Sequence, residues 1–262
     1  MTSYVIEIIG PAGIGKTTLV RSLVRQSPST TQKKLLSASQ ALCVPRLSRP
    51  ILVKKFLQHY LLSSNGCQPS RLLFRRRSLN TVLRDSISEE WRRFIGVCLE
   101  IASEDSRYSE DRLLGVNFVY TSIASRLFFD TWPDNQHLIL MDEPLGYRPS
   151  MFDTGEAVPS SSVKKYYESL PLPAAIIHLS APNETIVERI CQRRACGQTA
   201  HRHNNLSLSE IIDDTKWATD LAEYAVQFME QRGVPVLCIN AKGALLDNVK
   251  KSLDFLNGLN LT

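Results

Sequence analysis

Four short apolar runs punctuate the chain: "YVIEII" at 4–9, "HLILM" at 137–141, "AAIIHL" at 174–179 and "VPVLCI" at 234–239. Each has the length and mainly apolar character of a strand buried on both faces of a parallel sheet. A weaker strand signal lies within 34–44. Between these runs the apolar spacing changes to three and four. Leu19, Val20, Leu23 and Val24 make one face of a helix predicted over Lys16–Gln26, with Arg21 and Arg25 outside. Ser207 and Glu210 make a capping box ahead of Ile211, Thr215, Ala218, Ala222, Ala225 and Met229, while Gly233 suits the end of that helix and Pro235 stops it from resuming. Residues 45–130 read as a mainly helical insertion between the early and late strands, and "GYRPSMFDTGEAVPSSS" (146–162) reads as a loop beyond a strand's C-terminal end. Strands alternating with helices predict a doubly wound α/β layer structure.

The turn between the first strand and first helix carries "GPAGIGKTT". Gly10, Gly15, Lys16 and Thr17 fit GxxxxGK[ST] in the required setting, a strand before and a helix after. Gly10, Gly13 and Gly15 let the main chain curl so that N–H groups, at the positive end of a helix, point at a phosphate. Gly10, Ala12, Gly13, Ile14, Gly15, Lys16, Thr17 and Thr18 are therefore the expected nucleotide cradle, with Lys16 on the β- and γ-phosphates and the Thr17 hydroxyl on Mg2+.

"LILMDE" delivers Asp142 and Glu143 to the same end of the sheet. Asp142 is assigned to the metal, with Thr17, and Glu143 to accepting a proton from the attacking group; the reverse assignment stands as the alternative. No acidic residue lies between Glu7 and Asp85, so a base from the second strand is excluded. An Asp-Glu pair at this position also suits a hydrolytic ATPase, in which the Glu orients water. That reading stays open beside the kinase one, although the chain has no helicase motif series and no "LSGGQ".

Downstream, "APNETIVERICQRRACGQTAHRHN" places Arg189 and Arg193 four residues apart on one helical face, at the start of a lid spanning 189–206. Such cations stabilise a phosphoryl group in transfer; the plainer reading is a solvated basic face. The spacing of Cys191, Cys196, His201 and His203 matches no common zinc pattern. The GxxxxGKT loop, "AAIIHLSAPNETIVERI" leading into RxxxR, and the closing "GVPVLCINA" together resemble the thymidylate kinase and deoxynucleoside kinase superfamily of P-loop phosphotransferases, over residues 4–26 and 137–240. The resemblance implies a three-layer P-loop sandwich with a mostly parallel five-stranded sheet, ATP as donor, Mg2+, lid arginines at Arg189 and Arg193, and an adenine contact from Asn240 to Gly243. Where that superfamily has an Asp-Arg or Glu-Arg-Ser strand end, this chain has Asp142, Glu143 and Pro144, so the acceptor does not carry over.

Composition adds one feature. Of 262 residues, 43% are hydrophobic and 22% charged, the values of an ordinary folded chain, read here as one domain over 1–262. The net charge is +5, yet Lys33 to Arg93 holds 13 Lys and Arg against three acids, leaving the remainder net acidic. A basic concentration of this kind suits an anionic partner, and Arg75, Arg77, Arg84 and Arg148 are the candidate acceptor-binding residues. Phe74, Trp91 and Phe94 interleave with the arginines, either to stack bases or as the core face of a helix. Two acceptors follow: a nucleotide, nucleoside or small metabolite, or a nucleic-acid hydroxyl such as a hydroxymethylated pyrimidine in DNA, which the basic excess favours. Six cysteines without a CxxC pair suit reduced thiols in the cytoplasm, and the apolar start is too short to span a membrane.

Overall fold

Burying an apolar run takes its main-chain N–H and C=O groups out of water, and pairing with a neighbouring strand satisfies them. The computed structural model describes residues 4–27, 34–43, 87–104, 109–130, 137–142, 144–151, 158–198 and 203–260. It places β1 (Tyr4–Ile9), β2 (Lys34–Ser37), β3 (His137–Met141), β4 (Ala175–Ser180) and β5 (Val236–Asn240) in one five-stranded sheet, order β2-β3-β1-β4-β5, with every pair parallel. The helices among the described residues are α1 (Lys16–Gln26), α2 (Ala38–Cys43), α3 (Glu89–Glu104), α4 (Ser109–Asp130), α5 (Ser161–Ser169), α6 (Asn183–Ala195), α7 (Leu208–Gln231) and α8 (Leu245–Gly258).

Side chains of β1 alternate between two cores, as strand geometry requires. Ile6 and Ile8 pack with Leu19 and Leu23 of α1 and Val249 and Leu253 of α8. Val5 and Ile9 point the other way, Val5 toward Phe128 and Phe129 of α4 and Ile9 toward Leu221 and Ala225 of α7. The sheet is thus covered on both faces. Helix α4 belongs to two clusters, Val119, Ile123 and Leu127 in one and Ala124, Phe128 and Phe129 in the other, which explains why its C-terminal half is apolar on more than one side. No helix among the described residues is long and apolar enough to cross a membrane.

Several boundaries follow the sequence pattern, and α1 and α7 show why. In α1, Leu19, Val20 and Leu23 are buried and Arg21 and Arg25 exposed. In α7 the capping box forms in both directions, and Ile211, Thr215, Ala218, Ala222, Ala225 and Met229 are all buried. β5 starts at Val236, two residues later than the apolar run, because the Val234 N–H is spent on the carbonyl of Met229 closing α7 and Pro235 has no N–H.

One expectation changes and one open alternative is decided. The segment 146–162, read as a loop, begins with a 3-10 segment, Leu145–Met151, whose Leu145, Gly146, Arg148, Pro149 and Ser150 are buried, and ends in the first turn of α5. Trp91 and Phe94 are core, not a base-stacking surface: Phe94 is fully buried, edge-on to Trp91 and to Tyr166 of α5, and the neighbouring Arg92 and Arg93 face solvent. Phe94→Ala should therefore cost about 3–5 kcal/mol of unfolding free energy in urea titrations, the range for a large aromatic removed from a core.

Candidate functional site

The parallel arrangement brings the C-terminal ends of all five strands to one edge, and β1, the central strand, has β3 on one side and β4 on the other. Its successor in the chain, β2, lies beyond β3, so the direction of strand addition reverses next to β1, which is where ligands bind in open α/β sheets. The 10–15 loop leaves β1 at this point and runs into α1. Gly10, Gly13 and Gly15 all take positive φ, and Gly15, at φ 110°, is the residue before α1, with nothing within 4 Å of where a Cβ would project. The loop is a curled cradle open at the helix N-terminus.

Register sets the acid. Glu7 pairs with Met141 across β1 and β3, so Asp142 is the first residue past the strand, level with Ile8. From there its Oδ2 accepts a 2.9 Å hydrogen bond from Thr17 Oγ1, joining positions 125 residues apart in sequence. A hydroxyl and a carboxylate oxygen side by side at the mouth of a phosphate-type cradle are hard oxygen donors of the kind Mg2+ takes, so the donor set fits that ion. Lys16 Nζ donates to the carbonyls of Gly10 and of Pro11 (2.8 Å) and lies 5.5 Å from the centre of the Tyr147 ring. Its ammonium is thereby held folded back over the cradle.

Beside the loop opens a cleft of about 460 Å3. Gly13, Ile14, Gly15 and Thr18 line one side, Arg189 and Arg193 of α6 another, and Ala241, Gly243, Leu245 and Asn248 the third. The two arginines differ in engagement. Arg189 donates to the carbonyls of Ile14 and Ala241, both at 3.1 Å, and so ties the cradle to the turn after β5. Arg193 is exposed on the cleft wall. Asn240 shapes that turn: its Oδ1 accepts from the Lys242 N–H at 2.9 Å and its carbonyl from Asn248 Nδ2 at 3.0 Å, leaving Ala241 and Gly243 to face the cleft. Ala12 is exposed at the loop's crown.

The other predicted residues lie elsewhere. Arg148 is inside, 7% exposed, with Nε donating to Ser122 Oγ at 2.6 Å and the guanidinium 5.9 Å from the Phe118 ring. Glu143, Arg75, Arg77 and Arg84 lie outside the described residues. Of the possible lid ligands, His203 is buried against Asp214, Nε2 to Oδ2 at 3.1 Å.

Sequence reasoning missed Glu7. It is the one acid in an apolar strand, fully buried, with Arg126 Nη1 3.4 Å from Oε1 and the Gly146 N–H donating to Oε2 at 2.9 Å. A carboxylate in such a run must find donors in the fold, and that was the available signal. Comparison with known protein families and with curated proteins gives no match, so function rests on these residues and their arrangement.

Burial pushes the Glu7 carboxyl up from its ordinary value of 4.5, against lowering by the Arg126 guanidinium and the N–H groups of Gly146 and Leu145. Between about 4.5 and the folded value the native state therefore keeps a proton that the unfolded chain releases, and this group's contribution to stability falls as pH rises across that window. Glu7→Gln lacks that dependence. Urea unfolding at stepped pH from 4.5 upward should show the wild-type advantage over Glu7→Gln shrinking as pH increases.

Proposed function

We propose that this chain is a P-loop kinase, an ATP-dependent phosphotransferase built on a three-layer P-loop sandwich. The observation that carries the reading is the 2.9 Å contact of Thr17 with Asp142 beside Lys16 and an open glycine cradle, at the reversal point of the sheet. The cleft on the far side of the cradle supports it, since a base has room there between Gly13 and the Ala241–Gly243 turn.

Thr17 and Asp142 would hold Mg2+, which when bound neutralises charge on the β- and γ-oxygens. The N–H groups of the cradle and the N-terminus of α1 hold the β-phosphate in place. Lys16 exchanges its two carbonyl partners for phosphate oxygens, with the Tyr147 ring beside it. Arg193, on the cleft wall, supplies a further cation to the transferred group, whereas Arg189 keeps cradle and base-side turn at a fixed separation. Glu143 is proposed as the base that takes the acceptor's proton.

The acceptor is proposed to be anionic, foremost a nucleic-acid hydroxyl such as that of a hydroxymethylated pyrimidine in DNA, because the basic excess of 33–93 exceeds what one small phosphate needs. A nucleotide or small metabolite is the second candidate, and the working compartment is proposed to be the cytoplasm. The Asp142-Glu143 order also suits water as acceptor, the nucleic-acid-stimulated ATPase reading.

Following γ-labelled ATP with Mg2+ and two acceptor pools separates these: label on DNA or RNA supports the first, label on a nucleoside or nucleotide the second, and label only in free phosphate overturns the kinase reading. Lys16→Ala should lower turnover by about 100-fold or more. Glu143→Gln should cut transfer while leaving ATP affinity within about twofold, measured by equilibrium binding, as expected of a group acting in the transition state.

A further inference from the structure

Asp142 opens a segment whose later peptide groups are gripped from two sides. Glu7 Oε2 accepts the Gly146 N–H at 2.9 Å, and the Leu145 N–H is directed at the same carboxylate. On the opposite side Tyr166 Oη donates to the Leu145 carbonyl and Tyr167 Oη to the Gly146 carbonyl, each at 2.7 Å. The fit is close: a Cβ on Gly146 would stand 2.8 Å from Glu7 Oε2 and 3.1 Å from Ile9 Cδ1, so a larger residue there displaces the carboxylate. The next residue is Tyr147, whose hydroxyl donates to the Ala218 carbonyl of α7 at 3.1 Å and whose ring lies beside Lys16 Nζ. One short segment therefore joins the carboxylate that meets Thr17 to the ring that flanks Lys16, and its middle is fixed by β1 and α5.

We propose that Glu7 is a positioning residue for the nucleotide site: by holding the Leu145 and Gly146 peptides it aims Asp142 at Thr17 and sets Tyr147 beside Lys16. The proposal rests on the nucleotide reading above. Once ionised, Glu7 suits the task because both oxygens then accept, Oε1 from the Arg126 guanidinium and Oε2 from the Gly146 N–H. Glutamine has one acceptor, so its NH2 must stand against a donor. Arg126 is the second anchor: it also reaches Asp130 Oδ1 at 3.0 Å and the Leu172 carbonyl at 2.6 Å, so Glu7 is braced as well as neutralised.

The test is the gain in affinity for a fluorescent ATP analogue when Mg2+ replaces EDTA. The expected result is that Glu7→Gln loses about tenfold of this gain, the scale of one charge-assisted hydrogen bond, while affinity in EDTA stays near wild type. Asp142→Asn should lose the gain likewise. Glu210→Ala, which removes half of the α7 capping box and has no part in the Glu7–Arg126 contacts, should keep it. A full gain in Glu7→Gln, or equal losses with and without Mg2+, overturns the proposal, as does a loss in Glu210→Ala as large as in Glu7→Gln. Should Glu7→Gln fail to fold, Tyr167→Phe decides: a reduced gain supports the proposal and an unchanged one overturns it. Absence of any Mg2+-dependent gain in the wild type overturns the nucleotide reading itself.

Discussion

Everything at the candidate site depends on one constraint, the in-register parallel pairing of β1 with β3. Parallel strands end on the same edge, and the pairing of Glu7 with Met141 leaves Asp142 as the first residue free of the ladder. A slip of one residue turns Asp142 toward the opposite face. The Thr17–Asp142 hydrogen bond is then a consequence, not a cause, since a single bond of that type contributes only about 0.5–1.5 kcal/mol. Register is fixed by burial. Ile6 and Ile8 on one face and Val5 and Ile9 on the other are all within 1% of full burial, so either face loses heavily if the strand shifts.

Inside this apolar frame lies a polar cluster: Glu7, Arg126, Arg148, Ser122 and the hydroxyls of Tyr166 and Tyr167. Burial raises both tyrosines well above the usual phenol value, so they remain O–H donors at any working pH. Ionic groups in an interior seldom add net stability, because desolvation offsets their attraction. Their effect here is geometric. The cluster binds main-chain groups of Leu145, Gly146 and Leu172 and so converts a crossing between strand and helix into a segment of fixed path.

The cations around the cradle show how one charge type takes different roles through its partners. Lys16 is parked on the loop carbonyls of Gly10 and Pro11, and Arg189 spends its planar fork bridging two backbone carbonyls, a geometry that an ammonium cannot reproduce. Arg193, one turn later, faces the cleft. Arg148, expected among the acceptor-binding residues, is carried inward by the 3-10 segment.

The features legible from the sequence are those set by neighbours along the chain. The α1 and α7 boundaries, the capping box, the strands and the glycine cradle depend on spacing, capping and the absence of a Cβ, all local properties. The adjacency of Asp142 to Thr17 was legible too, because a parallel sheet leaves a strand-end acid few other places. Tertiary structure alone decided that Trp91 and Phe94 are core, that Arg189 is a tie and Arg148 is internal, and that Glu7 meets Gly146 from 139 residues away. Arginines and aromatics look alike in sequence whether they meet solvent, ligand or core. A long side chain reaches several ångströms from its own backbone, so its partner is chosen by whichever distant element packs there, and no periodicity in the chain encodes that choice.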